Sequence, residues 1–325
     1  MHTPAIPNVS TRLGIGDLLG RWGVRWAIGR GRYRVNPGLY KIGDPDPQSP
    51  VLVTANYKLT FNVLRSELEG VDAWILVLDT KGINVWCAAG KGTFGTEELV
   101  RRVQATDLAS VVSHRRLIVP QLGATGVAAH EVRRTCGFKV IYGPVRAREI
   151  KTFLEAGERV SEDMRRVTFT LSERLELVGA ELGPVLKWLV LLLLIALLLD
   201  GAGSLLDRLS SATLRGAPII AGFLTGTVLV PVLLPWIPGR AFSLKGALAG
   251  VIVVGLTIML MPSVHSVLGK VQVLLLGTAA ASFFAMQFTG STTFTSPSGV
   301  EWEMRRALGF HVGMVVLAFA LGFMK

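Results

Sequence analysis

The chain carries only two cysteines, Cys87 and Cys136. Cys87 lies in Asn84-Val85-Trp86-Cys87-Ala88-Ala89-Gly90-Lys91, beside a tryptophan, two alanines, a glycine and a lysine. Ala88, Ala89 and Gly90 leave room for something large and flat to come close, Trp86 offers it an apolar face, and Lys91 adds a positive charge. A lone thiol in such a segment is either a ligand or a small buried hydrophobe. Cys136 ends a helical pattern just before Gly137, whose type suits a helix C-cap, and reads as a structural thiol. Two cysteines cannot hold an iron–sulfur cluster that takes four thiolates, nor build a disulfide framework. Any electrons must therefore reach this chain from a partner.

The elements around Cys87 follow from periodicity. Runs rich in valine and isoleucine at 50–54, 73–79, 116–122 and 138–142 read as strands buried on both faces. Helical patterns at 57–68, 96–103, 127–135 and 148–156 separate them, which predicts an α/β fold with a parallel, doubly wound, Rossmann-like sheet. Ligands of such sheets bind beyond the carboxyl ends of the strands. Those exits read Thr54-Ala55-Asn56, Asp79-Thr80-Lys81-Gly82-Ile83, Pro120-Gln121-Leu122-Gly123-Ala124-Thr125-Gly126 and Tyr142-Gly143-Pro144-Val145-Arg146, and the second runs straight into Asn84. All four loops can face one ligand.

Past Glu181 the composition changes. Stretches 185–199, 218–237, 244–261, 267–288 and 307–323 are apolar and almost uncharged, and each approaches the ~20 residues that cross ~30 Å of hydrocarbon. The expected organisation is an extension at 1–35, a cytosolic domain at 36–172, a linker helix at 173–184 and an all-α transmembrane domain of five helices at 185–325. Lys187 and Trp188 suit an interfacial anchor for the first span. Pro231 and Pro235 are expected to kink the second, and Gly222-x-x-x-Gly226, Gly246-x-x-x-Gly250 and Gly309-x-x-x-Gly313 to let helices pack closely. Mid-membrane charge is scarce, which favours a packed anchor over a conduit. His265 and His311 fall near expected span ends.

Of the 325 residues half are hydrophobic, and a net charge of +11 comes from 34 Lys and Arg against 23 Asp and Glu. No basic run interleaved with aromatics occurs, so the charge fits a domain beside anionic lipid rather than nucleic acid. Residues 1–32 lack the apolar core and cleavage site of a signal peptide, so the expected location is a multi-pass inner (cytoplasmic) membrane protein whose N-terminal half stays in the cytoplasm.

Asn84–Lys91 resembles the cap-helix signature of the mercury-methylating corrinoid protein family, HgcA. Residues 50–60, 120–132 and 142–147 are similar to the corrinoid-binding loops of that family and of the corrinoid iron–sulfur protein of acetyl-CoA metabolism. The resemblance implies a cobalamin held base-off, with Cys87 as the thiolate ligand of its cobalt and as the catalytic residue. It implies cofactor contacts from Thr54, Asn56, Asn84, Val85, Trp86, Ala88, Ala89, Gly90, Lys91, Gln121, Gly123, Thr125, Gly126, Tyr142 and Gly143. It further implies a methyltransferase that passes a methyl group to Hg(II), a ferredoxin partner, HgcB, with two 4Fe–4S clusters, and a methyl donor that is methyltetrahydrofolate or its relay protein. His114 and His130 lie outside the D-x-H-x-x-G context that supplies a histidine ligand in other corrinoid proteins. Two alternatives stay open: a methyl carrier of one-carbon or acetyl-CoA metabolism, and a membrane transporter or sensor with a soluble nucleotide-binding domain.

Overall fold

The computed structural model describes residues 6–199, 205–260, 266–288 and 297–324, with many helical side chains between 185 and 215, and those of 297 and 298, outside that description. The chain divides into two compact units, one of Met1–Val24 with Ile28–Thr168 and one of Arg25–Ala27 with Phe169–Lys325.

The first unit is built on five strands, β1 (Gly38–Ile42), β2 (Val51–Ala55), β3 (Ala73–Leu78), β4 (Arg116–Pro120) and β5 (Lys139–Gly143), in the order β1-β3-β2-β4-β5. The pairs β2–β3, β2–β4 and β4–β5 are parallel, as the alternation of strands and helices predicts. β1 departs from that expectation. It pairs antiparallel with β3, from Gly38 opposite Val77 to Ile42 opposite Ala73, so the sheet is mixed. Only Leu39 and Ile42 of its residues are buried, as suits an edge strand, a weaker signal than the fully buried runs of β2 and β3.

Apolar side chains fill both faces. On one, Phe61 and Leu64 of α2 (Lys58–Ser66) and Phe153 of α7 (Ile150–Glu155) pack on Leu52, Ile75 and Ile118. On the other, α3 (Val85–Gly90), α4 (Thr96–Ala105) and α6 (Ala129–Cys136) cover Val53, Leu76 and Val119. The strand order reverses between β2 and β4, because β3 lies to one side of β2 and β4 to the other. The loops part at such a switch point and leave a crevice.

Residues of the expected N-terminal extension belong to this unit. Backbone bonds join Val9 to Lys41 and Lys41 to Pro7, and Asp17 in α1 (Ile15–Arg25) meets Arg65 Nη2 at 2.7 Å and Lys58 Nζ at 3.0 Å. Burial alone would raise the Asp17 carboxyl. Hydrogen bonds from Lys58 and the Gly14 backbone, with the charges of Lys58 and Arg65, outweigh it and bring the pKa from 3.8 to about 2. A carboxyl depressed in the folded state stabilises above its unfolded pKa, so this contribution, about 2 kcal/mol, is lost as pH falls through 4 toward 2. Acid unfolding of Asp17→Asn should accordingly show a shallower loss of stability across that window, while the variant is already less stable at pH 7.

The second unit is helical: α8 (Leu171–Leu199), α9 (Leu205–Leu224), α10 (Val230–Leu233), α11 (Phe242–Leu260), α12 (Val267–Gln287) and α13 (Pro297–Phe323). Among the described residues, four segments are long and apolar enough to cross a membrane: Gly216–Leu233, Phe242–Leu260, Val267–Gln287 and Gly299–Phe323. The fifth expected span, 185–199, forms the end of α8, but most of its side chains, with those of Lys187 and Trp188, lie outside the described residues, as does His265.

Between α9 and α10 the helix widens into a π turn, Thr225–Leu229, immediately before Pro231. Proline lacks an N–H and crowds the carbonyl four residues back, and the wider turn relieves that crowding. Two of the three glycine pairs pack as expected. A Cβ on Gly222 would stand 2.1 Å from the Gly277 carbonyl oxygen, and one on Gly246 2.5 Å from that of Ala281, so α9 and α11 both seat on α12. A Cβ on Gly309 or Gly313 would meet no described atom within 4 Å, so the third pair mediates no such contact here.

Candidate functional site

The carboxyl edge of β2 and β3 is tied by one amide. Asn56, buried just past β2, accepts through Oδ1 from the backbone N–H of Thr80 at 3.1 Å and of Gly82 at 2.9 Å, and donates through Nδ2 to Asp79 Oδ1 at 3.2 Å. The Thr80 hydroxyl donates to the Ile83 carbonyl at 2.6 Å. From the far side, Glu98 of α4 accepts the Asp79 N–H at 2.8 Å and is held by Arg102 at 2.7 Å. Burial pushes the Glu98 carboxyl up, but these bonds prevail and keep it below the ordinary value. The loop from Asp79 to Ile83 is therefore fixed from both sides before it delivers Asn84.

Asn84 starts α3 as its N-cap, its Oδ1 accepting the Cys87 N–H at 2.9 Å. The six residues of α3 and its C-cap, Lys91, then divide by face. Val85, Ala88 and Ala89 are buried in the core, whereas Trp86 and Cys87 are half-buried and Gly90 and Lys91 exposed. Cys87 and Gly90 are one helical turn apart. Apart from its chain neighbours and the backbone of its own helix, no described atom lies within 4 Å of where a Cβ on Gly90 would be, so the flank beside the thiol is open.

The loop after β4 presses on this helix. A Cβ on Gly126 would fall 2.2 Å from the Phe94 carbonyl oxygen and 3.1 Å from Ala89 Cα, and one on Gly123 2.5 Å from the Phe94 ring. Thr96 donates its N–H to the Gly126 carbonyl, and its hydroxyl accepts from the Ala128 N–H at 2.8 Å. Gly123 and Gly126 thus allow the loop to seat α3, a packing role beyond the ligand contact expected of them. Gly126→Ala should force the loop off α3 and cost about 2–4 kcal/mol in urea unfolding of the first unit, in the range of overpacked cores at an immobile backbone.

The remaining candidates occupy the same edge. Thr54 is buried within β2, Gly143 ends β5 against Ile118, and the Tyr142 hydroxyl donates to the Val127 carbonyl at 2.6 Å. Thr125 is exposed on the loop. Gln121 is half-buried, and its Oε1 is buried with no hydrogen-bond partner among the described residues. An unsatisfied buried acceptor calls for a donor from elsewhere. Cys136 is unlike Cys87: its thiol donates to the Val132 carbonyl one turn back at 3.2 Å, and Gly137 takes the left-handed conformation at φ 78°. Glu98 and Thr80 were not visible as site residues in the sequence. Only the register of α4 against the Asp79 loop brings Glu98 in.

These features fit a corrinoid. The thiol stands on the open face of α3, the flank at Gly90 is clear for a flat macrocycle, and Gln121 offers an acceptor to its amides. No cluster of three or more His, Cys, Asp or Glu that could hold a bare metal ion occurs among the described residues.

Comparison with known proteins bears on the same region. The family model for the CO dehydrogenase/acetyl-CoA synthase delta subunit matches residues 29–154. The gamma subunit of the acetyl-CoA decarbonylase/synthase complex of Methanopyrus kandleri is 39% identical over 123 residues, 37% of this chain and 26% of the relative. That of Archaeoglobus fulgidus is 36% identical over 124 residues, 38% and 26% of the two chains. The corrinoid/iron–sulfur protein large subunit of Moorella thermoacetica is 34% identical over 125 residues, 38% and 28%. The chain spans about a quarter of the length of these relatives. The stretch matched by the family model, which carries the sheet, α3 and Cys87, is thus similar to subunits of acetyl-CoA complexes and of a corrinoid protein.

Proposed function

We propose that the first unit binds a corrinoid and that the chain is a methyl carrier of the kind that serves acetyl-CoA metabolism, attached to a membrane by its helical unit. The observation that carries this reading is the half-buried Cys87 beside the empty flank of Gly90, within a stretch similar to the large subunit of a corrinoid/iron–sulfur protein. When bound there, the corrinoid supplies a cobalt able to take up and give away a methyl group. Cys87 would be the protein ligand of that cobalt, with the corrinoid's own base displaced, and Asn84 would hold it in place by capping α3 through the Cys87 N–H. Trp86, Gly90 and Lys91 would contact the corrinoid, and Gln121 would accept a hydrogen bond from it. Two cysteines leave these residues without a cluster of their own, so the reducing electrons come from a separate iron–sulfur protein.

Purified protein reconstituted with hydroxocobalamin should retain the pigment through gel filtration and show a base-off, sulfur-ligated visible spectrum. Protein that emerges colourless, or whose pigment keeps its own benzimidazole bound, defeats the proposal.

A second reading is favoured by one observation: the half-buried thiol of Cys87 lies on a helix whose sequence resembles that of the mercury-methylating family. With a corrinoid bound, a thiolate from Cys87 would enrich its cobalt in electron density and favour loss of a methyl group with its electron pair to a soft acceptor such as Hg(II). In this reading the partner is the ferredoxin HgcB, the donor a methylated folate or its relay protein, and the stretch at 185–199 is the first of five crossings below a Rossmann-like cytoplasmic domain. Methylmercury formed from a labelled methyl donor, reconstituted protein, reductant and Hg(II) would support it. Label that passes only to an acetyl-CoA-forming partner would refute it.

A further inference from the structure

The helical unit contains a cavity of about 420 Å³ between α11, α12 and α13, within the range of sites that hold small ligands. Leu244, Ala247, Phe310 and Met314 give most of its wall an apolar lining, while Ser243, Ser282, Glu303, Arg306 and His311 gather on the rest. Glu303 and His311 are buried, at 7% and 6% exposure. Ionisable groups inside an apolar bundle mark functional sites more often than packing.

Hydrogen-bond accounting sharpens the chemistry. The Ser282 hydroxyl has one proton, and it goes to the Ser243 carbonyl at 2.8 Å. His311 Nε2, also 2.8 Å from Ser282 Oγ, must therefore be the donor of that pair. In the neutral ring this leaves Nδ1 as a lone-pair acceptor, and Nδ1 is buried without a partner among the described residues. Glu303 Oε1 accepts the Ser243 N–H at 2.6 Å at the start of α11. Both groups are acceptors, so the inner wall asks for donors. At the mouth, Arg306 stacks over Trp302 at 4.0 Å, and its guanidinium suits a phosphate. From Glu303 to Met314 the site extends about 16 Å along α13, long enough for a headgroup and part of a chain.

We propose that this cavity is a binding site for one phospholipid with a primary-ammonium headgroup, its phosphate at Arg306, its ammonium N–H groups toward Glu303 and His311, and one acyl chain along Ala247, Phe310 and Met314. A trimethylammonium head has no N–H to donate, and an anionic head meets the Glu303 carboxylate. The inference rests on the membrane attachment proposed above.

The test uses the full chain extracted from membranes and placed in nanodiscs of equal parts phosphatidylethanolamine, phosphatidylcholine and phosphatidylglycerol, with the lipid retained after re-extraction identified by mass spectrometry. Phosphatidylethanolamine should be enriched about tenfold over phosphatidylcholine, a preference of about 1.4 kcal/mol. Glu303→Gln should reduce that preference, and Ala247→Phe, which fills the cavity, should abolish retention while helical content and corrinoid binding by the first unit persist. Equal retention of the three lipids, or retention unchanged by both substitutions, overturns the site. A chain that stays soluble without detergent instead overturns the membrane attachment, so the two failures are told apart.

Discussion

Cys87→Ala is expected to abolish methyl transfer, by at least about a hundredfold or about 2.7 kcal/mol of barrier, while the protein still folds and binds corrinoid. The thiol contributes little to the core, because it is half-buried on the open face of α3, and the buried face is made by Val85, Ala88 and Ala89. What is lost is the sulfur that the proposed function assigns as the ligand of the corrinoid cobalt. The check has two parts: the visible spectrum should lose its sulfur-ligand signature, and transfer from a methyl donor should fall to the level of free cobalamin. Wild-type transfer by the alanine variant would show that the sulfur is not the ligand.

Asn56→Ala should have the largest effect on stability. Alanine leaves the N–H groups of Thr80 and Gly82 without the acceptor they share and Asp79 without a donor, all around a side chain buried to 2% exposure. Unsatisfied buried donors cost about 1–3 kcal/mol each, so a loss of about 3–5 kcal/mol is expected in denaturant unfolding of the first unit. Asn56→Asp is informative beside it, since its carboxylate can still accept from both N–H groups but puts a second charge beside Asp79. It should rank between wild type and alanine. Corrinoid affinity should fall in both variants, because the loop that carries Asn84 and Cys87 is no longer held.

The parallel part of the sheet was legible because β2, β3 and β4 are short valine and isoleucine runs between turn residues. β1 was not. Its apolar residues, Leu39 and Ile42, do not alternate cleanly, and its partner β3 lies more than thirty residues away, so only tertiary pairing reveals it. At the site, Asn84–Lys91 was legible as a unit because its small residues, cap and cysteine serve one short helix. The roles of Asn56, Gly123 and Gly126 were legible only by residue type. Their actual bonds depend on how the loops meet, which local spacing does not encode. His311 shows the reverse difficulty: it stood near an expected span end, but α13 begins at Pro297, which carries the helix past it and buries the ring against Ser282.

The contact of Gly126 with Phe94 and Ala89 has one more outcome. Main-chain atoms meet main-chain atoms there, and such surfaces do not yield as rotamers do. The end of α3 at Ala89 is thus held against the Gly126 loop, and the Cys87 side chain, two residues earlier, keeps its freedom chiefly in rotation about the Cα–Cβ bond. If Cys87 holds a metal as proposed, its sulfur would follow that metal through this one torsion rather than through movement of the helix.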